Sequence, residues 1–197
     1  MNHREYFNQL ASKWDQMTPE ETRARLPQMI DHLAIKPGDS ILDVGGGTGI
    51  LIPLLHKTAG DGGKIVSLDI AEEMLKQARN NGYSKNIHYI QADAAAIPFS
   101  EESFDFVVCY SCFPHFLDKP RALAEMTRVL RNGGHIAICH TASRQAINEL
   151  HKSIGNAVGN DTIPDEATMR KMLAASGLKP AEIRDEPHRY LVIAAKY

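Results

Sequence analysis

The chain has 197 residues, with 22 lysines and arginines against 24 aspartates and glutamates, for a formal net charge of −2. That length suits one domain with a full core, and so small a charge excludes bulk attraction to nucleic acid or to an anionic membrane. Three cysteines fit a reducing cytoplasm better than a disulfide scaffold, the opening MNHREYFNQLASKWDQM lacks a signal-peptide core, and no run approaches the ~18 apolar residues of a membrane span.

The first segment, REYFNQLASKWDQM, puts Tyr6, Leu10, Trp14 and Met17 near one helical face. In the TPEE that follows, Thr18 is placed to cap a second helix, with Pro19 at its first position and Glu21 completing a capping box. Leu26-Pro27 is expected to break or kink that helix. Residues 1–36 thus read as a helical preface, either a packing layer or a lid over a ligand. From there the chain alternates. SILDV is a short apolar strand, GILIPLLHKTA a helix, KIVSLDI a strand, and AEEMLKQARNN a helix. NIHYIQAD and FDFVVCYS are strands, KPRALAEMTRVLRNGG is a helix ending at Gly133, and HIAICHT is a strand. Strands that are apolar throughout, alternating with amphipathic helices, predict a parallel sheet covered on both faces. SRQAINELHKSIGNAVGN and IPDEATMRKMLAASGL then read as helices, the second with Pro164 near its start and Gly177 just past its end. PAEIRDE and RYLVIAAKY form a terminal hairpin through Pro187.

Between the first strand and the next helix lies DVGGGTG, with four glycines from Gly45 to Gly49. Glycines at the carboxyl end of the first strand of an open α/β sheet mark a ligand that approaches the backbone. A dinucleotide fingerprint, G-x-G-x-x-G/A, needs a small third residue. Both registers of that pattern meet a large one, Ile50 or Ile52. The pattern present is instead D-x-G-x-G-x-G, on Asp43, Gly45, Gly47 and Gly49. Asp69 ends the next strand, where a carboxylate can accept hydrogen bonds from both ribose hydroxyls. Ile70 beside it can pack on an adenine face. Asp93 ends the strand after that and can meet the adenine amino group. Each acid alone reads as a turn residue; three at consecutive strand ends point to a nucleoside.

These motifs together resemble a class I S-adenosylmethionine (SAM)-dependent methyltransferase of the small-molecule type, similar to the ubiquinone/menaquinone methyltransferases. ILDVGGGTG resembles the family's first motif, SLDIAEEMLKQAR its second-strand acid and helix, QADAAAIPFSEESFDFVVCYSCFPHF its adenine loop and fourth strand, and EMTRVLRNGGHIAI the entry to its fifth strand. The resemblance implies an α/β, Rossmann-like three-layer sandwich. Its mostly parallel seven-stranded sheet has the order 3-2-1-4-5-7-6, with strand 7 antiparallel and an N-terminal helical lid. It implies one domain, residues 1–197, with residues 1–36 as lid and 37–197 as core. By the same resemblance Gly45, Gly47 and Gly49 lie along the methionine and ribose of SAM, and Asp43 fixes the loop from beneath. Asp69 then holds the ribose diol, Asp93 and Ala94 the adenine, and Cys109 and Tyr110 flank the sulfonium. Ile70 and Met74 join these contacts, and Tyr6 and Trp14 close over the cofactor.

Methyl transfer from a sulfonium needs alignment and exclusion of water, and a base only where the acceptor loses a proton. The candidates follow strands four and five. His115 and His140 are the expected catalytic histidines, each with an alternative structural role. Cys112, with Arg144, Asn148 and His151 at i, i+4 and i+7 of one helix, completes an expected substrate side, where Arg144 is either a solvated residue or an anion clamp. Cys109 and Cys139 read as buried small hydrophobes. A Cys112/His115/His140 metal site, acting on a metal-bound acceptor, is the second reading, and a SAM-binding protein without turnover the third. The loop SCFP lacks the N/D-P-P-Y/F of base-methylating relatives. The expectation is a cytoplasmic monomer or homodimer acting on a small-molecule acceptor, with no nucleic acid or membrane as partner.

Overall fold

Strands β1 (Ser40–Val44), β2 (Lys64–Asp69), β3 (Ile87–Gln91), β4 (Phe104–Tyr110), β5 (Leu130–His140), β6 (Leu178–Glu186) and β7 (Arg189–Lys196) form one sheet in the order 3-2-1-4-5-7-6. The computed structural model describes residues 1–83 and 86–197. β1 pairs in parallel with β2 and β4, and the parallel run extends to β3 and β5. β7 is antiparallel to both β5 and β6. The predicted order and hairpin are therefore present. Pro180 sits in β6, an edge strand, where its missing N–H removes no ladder bond from a central strand.

Helices cover both faces. On one, α3 (Glu20–His32) and α4 (Ile52–Ala59) bury Leu26, Met29, Ile30 and Leu55 against Ile41, Ile65 and Val108. On the other, α6 (Lys119–Val129) and α8 (Glu166–Ala175) bury Leu123, Met126, Met169 and Leu173 against Leu42, Val107 and Ile138. Successive residues of each central strand serve opposite faces, which is why these strands are apolar throughout. α5 (Glu72–Asn80) follows β2, and α7 (Arg144–Ile154) follows β5.

Local details differ from the sequence expectations. The N-terminal segment is not one helix but α1 (His3–Leu10), a 3-10 turn at Ala11–Lys13, and α2 (Trp14–Met17). The tighter 3-10 winding rotates Trp14 out of register with Tyr6. The capping box forms at Asn2 and Glu5, not at Thr18: the Asn2 side chain accepts from Glu5 N, and Glu5 Oε2 accepts from Asn2 N. Thr18 ends α2, its hydroxyl donating to the Trp14 carbonyl. Pro27 lies inside α3, which continues to His32. The buried anchors Leu26, Met29 and Ile30 on either side of it hold the helix on the sheet despite the lost bond. α6 ends at Val129 rather than Gly133, because Leu130 already pairs with Phe104 in the sheet. Among the described residues no helix is long and apolar enough to cross a membrane.

Candidate functional site

A cavity opens at the carboxyl ends of β1, β2 and β4, roofed by the N-terminal segment through His3, Phe7 and Trp14. Its floor is the turn after β1. Gly45, Gly47 and Gly49 all have positive φ, at 70°, 55° and 85°, and the reasons for glycine separate once neighbours are considered. A Cβ on Gly45 would stand 2.4 Å from Cys112 Sγ, and one on Gly46 2.0 Å from Ser67 Oγ. One on Gly49 would meet Ile52, Tyr83 and Ala78 at 2.8–3.3 Å. The protein's own packing therefore excludes side chains there. Gly47 alone has open space about its Cβ position and faces the cavity.

Asp43, one residue from the end of β1, and Asp69, at the end of β2, line this floor. Asp69 Oδ2 accepts from Gly47 N at 2.9 Å and Oδ1 from Ala71 N at 2.8 Å, so the carboxylate fixes the glycine turn to its own loop. Burial raises its pKa, while the backbone N–H groups of Ala71, Gly47 and Ile70 pull the other way. Asp43 is 1% exposed and its Oδ2 has no hydrogen-bond partner. Burial first, and the nearby Asp69 charge second, push its pKa up to about 7. Ser67, opposite Asp43 in the β1–β2 register, likewise has an unpartnered buried hydroxyl. A buried acid pair with an orphaned oxygen is a strong acceptor for a cationic or hydroxyl-bearing ligand.

Most of the expected cofactor residues come together here. Asp43, Gly45, Gly47, Asp69, Ile70, Met74, Asp93, Ala94, Tyr110 and Trp14 line the cavity, as do Cys112 and His115 on the side after β4. Others do not. Tyr6 is turned against the edge of the Phe7 ring, 5.3 Å between centroids, and Phe7 takes the place expected of it. Gly49 packs against α5, behind the wall. Cys109 points into the core on the α6 side, its Sγ 3.0 Å from Cys112 Sγ.

The substrate side is corrected more heavily. His140 is 1% exposed, packs by Tyr190 and lines no part of the cavity. Its position at the end of β5 is as expected, but the strand's pleat aims it into the core. Burial holds its pKa down, to about 3. Arg144 lies outside the cavity with its guanidinium 3.6 Å from Asp185, so it is paired within the protein and is no free anion clamp. Asn148 and His151 do share a face of α7, but they hold the following loop: Asn148 bonds both the N–H and the carbonyl of Ile163, and His151 Nδ1 lies 2.9 Å from the Asp161 carbonyl. Asn148→Ala is expected to lower stability by about 2 kcal/mol, two hydrogen bonds at about 1 kcal/mol each, measured by urea unfolding. A change under about 0.5 kcal/mol would deny the clamp.

The Cys112/His115/His140 metal trio does not assemble. Cys112 Sγ donates to the Val44 carbonyl at 2.8 Å, and burial pushes its thiol up rather than toward thiolate. The residues missed by sequence are His3, Phe7 and Asp161. Asp161 Oδ2 lies 2.6 Å from His115 Nδ1 and 2.8 Å from His3 Nε2. Asp161 sits in an irregular loop with no motif around it, so no local pattern announces it.

The segment over the cavity is tethered by polar contacts. Thr48 Oγ1 donates to Asp15 Oδ1 at 2.6 Å, Glu73 N donates to Asn8 Oδ1 at 3.0 Å, and Arg4 Nε donates to Glu72 at 2.9 Å. The Arg4 bond holds the Glu72 carboxyl down, to about 2.

Comparison with known proteins agrees with this arrangement. Residues 42–138 match the family described as a methyltransferase domain. The ubiquinone/menaquinone biosynthesis C-methyltransferase UbiE of Vibrio campbellii is 31% identical over 206 residues, covering 89% of this chain and 79% of the relative. Its counterpart in Escherichia coli (strain K12 / DH10B) is 31% identical over 207 residues, covering 89% and 82%. A SAM-dependent methyltransferase from Aquifex aeolicus has the same fold, with a TM-score of 0.77 at 20% identity over 100% of both chains. So does one chain of a complex between the Haloferax volcanii Trm112 methyltransferase activator and a methyltransferase, with a TM-score of 0.81 at 19% identity, covering 96% of this chain and 96% of that one. On this relationship, and with the fold that it shares, the chain belongs to the methyltransferase-domain family and is a SAM-dependent methyltransferase.

Proposed function

We propose that this protein transfers the methyl group of SAM to a small organic acceptor bound beneath the N-terminal segment, which acts as the lid of a single domain. The observation that carries the reading is the lidded cavity with Asp43 and Asp69 on its floor and His115 on its wall. The residues fit the cofactor. The orphaned Asp43 Oδ2 supplies an acceptor for a cationic ammonium, Asp69 offers a carboxylate on the cavity floor to a ribose diol, and Gly47 leaves open space. Asp93 Oδ1 accepts from Ala95 N at 2.8 Å, which leaves Oδ2 for a base amino group. When bound, SAM supplies an activated methyl whose leaving group is a neutral thioether. The chain's own share is to align the acceptor and exclude water. Phe7, Trp14 and Ile70 provide the apolar walls for that, and Tyr110, buried so that its phenol pKa is raised, remains protonated.

A small acceptor is favoured over a polymer because the lid closes the cavity from above with contacts to Thr48, Glu72 and Glu73. The named UbiE relatives are C-methyltransferases of quinone biosynthesis. The apolar walls support an acceptor with a flat, apolar ring. Three cysteines, an odd and small number, favour a reducing, cytoplasmic setting.

The test is titration calorimetry with S-adenosylhomocysteine on wild type and Asp69→Ala. Loss of paired ribose hydrogen bonds is expected to weaken binding by about 1–3 kcal/mol, or 5–150-fold. Unchanged affinity in the variant overturns this placement of the cofactor.

A further inference from the structure

Three separate parts of the chain meet at one carboxylate oxygen. Asp161 Oδ2 is 2.6 Å from Nδ1 of His115, in the turn after β4, and 2.8 Å from Nε2 of His3, in the lid helix α1. Both imidazoles line the cavity. Their side chains are 13% and 14% exposed and that of Asp161 11%, so little water competes for these bonds. The loop carrying Asp161 is held by His151 at its carbonyl and by Asn148 two residues on. Among the described residues this is the one group of histidine, cysteine and acid side chains with metal-ligand proximity. Its distances argue against an ion. Ligands at about 2.0–2.1 Å from a common metal stand about 2.9 Å or more apart, whereas 2.6 and 2.8 Å are lengths of charge-assisted hydrogen bonds.

We infer that Asp161 is a positioning residue that fixes His115 as the proton acceptor of the reaction and latches the lid through His3, so that the base is set when the cavity is shut. The inference rests on the methyl-transfer reading above and narrows its acceptor to one that surrenders a proton as it is methylated: a phenol or enol hydroxyl, or an acidic C–H. A carboxylate accepting from Nδ1–H leaves the lone pair on Nε2, the tautomer required of a base. No hydrogen bond among the described residues engages His115 Nε2, and the ring stands in the cavity wall. The step balances as follows. The electron pair of the acceptor's attacking atom forms the bond to the methyl carbon. The carbon–sulfur bond breaks and its pair returns to sulfur as a neutral thioether. The acceptor's proton passes to His115 Nε2, and Asp161 offsets the imidazolium charge.

The surroundings agree. Burial holds the His115 pKa below its ordinary range, so the ring is neutral at pH 7, and the bond to Asp161 opposes that shift only in part. His151 of α7 lies 4.7 Å from the His115 ring, and His3 of α1 and buried His140 of β5 are the other imidazoles nearby; all disfavour a standing positive charge. Lys119 of α6 is engaged by the Pro114 and Phe116 carbonyls and so ties down the turn that carries His115.

The test is nitrogen NMR on protein labelled with [15N]histidine and saturated with S-adenosylhomocysteine. In wild type His115 is expected as the less common Nδ1–H tautomer. In Asp161→Asn the amide N–H₂ faces Nδ1, and the ring is expected to flip to Nε2–H. A wild-type ring already in the Nε2–H form, or one unmoved by Asp161→Asn, overturns the inference. The wild-type reading needs no variant to fold. In His3→Ala, hydrogen-exchange protection of the α1 amides is expected to fall roughly tenfold, the effect of losing one hydrogen bond to a charged group; unchanged protection denies the latch. Added Zn²⁺ that shifts the His3 and His115 nitrogens together at one equivalent would make the cluster a metal site and also overturn the inference. If the cofactor placement itself is wrong, S-adenosylhomocysteine added to uniformly 15N-labelled protein will leave the Gly47 and Asp69 amides unshifted, an outcome separate from the histidine readings.

Discussion

Gly46→Ala is expected to lower stability by about 2–4 kcal/mol, the cost of overpacking against two buried side chains. For a chain of this length that is a fall in Tm of roughly 5–15 °C. The new methyl would lie 2.0 Å from Ser67 Oγ and 2.7 Å from Asp43 Oδ2, both on neighbouring buried strands. Gly45→Ala is expected to be as harmful for two reasons: a contact of 2.4 Å with Cys112 Sγ, and a φ of 70° that L-residues resist. Gly62→Ala is the control. It has nothing within 4 Å of its Cβ position and is not among the positive-φ residues, so it should be neutral or stabilising by up to about 1 kcal/mol. Thermal unfolding of the three variants without ligand decides the matter. If Gly46→Ala unfolds like wild type and loses only ligand affinity, then the glycine serves the ligand rather than the packing.

Stability of the ligand-free protein is expected to hide two opposed titrations. Asp43 has a folded pKa raised from 3.8 to about 7. Its unfolded form gives up the proton first, so the stability associated with it is full below about pH 4 and is lost as pH rises through 7. His140 has a folded pKa lowered from 6.5 to about 3. Its contribution is full above pH 6.5 and is lost as pH falls toward 3. At about 1.4 kcal/mol per pH unit, each spans on the order of 4 kcal/mol, and between pH 4 and 6.5 they cancel. Asp43→Asn should therefore leave a protein that gains stability as pH rises from 4 to 6.5. His140→Phe should leave one that loses it, since a phenyl ring fills the site without a group to protonate. Urea midpoints at four pH values between 4 and 7.5 check both. A shift that is the same at every pH would show that neither group titrates with folding. A ligand ammonium beside Asp43 should draw its pKa down, so that binding of S-adenosylhomocysteine near pH 6 releases a proton. Calorimetry in buffers of different ionisation enthalpy measures that directly.

The alternation of strands and helices, the terminal hairpin, the glycine turn and the acids Asp43, Asp69 and Asp93 could be read from residues alone, because each depends on a short local pattern: apolar runs of strand length, glycines in a fixed spacing, and an acid at or near the end of a strand; the sheet order came only with the family resemblance. His115 was also legible, five residues after β4. Three kinds of feature were not. The direction of a side chain at a strand end depends on pleat phase, which turned Cys109 and His140 into the core although both stand at the right height on the sheet. The facing of the N-terminal segment depends on its contacts, so α1 turns His3 and Phe7, four residues apart on one helical face, over the cavity and leaves Tyr6 outside. The partners of charged groups depend on segments distant in sequence: Arg144 meets Asp185, and His115 and His3 meet Asp161, 46 and 158 residues away. The sequence by itself thus determined the alternating α/β pattern and the acids Asp43 and Asp69 that line the cavity floor, since local periodicity and turn chemistry carry that information, and its motifs pointed to the family by resemblance. Only the tertiary structure decided why Gly45 and Gly46 are glycine and which histidines line the cavity, because contact and burial between remote segments leave no local pattern in the chain.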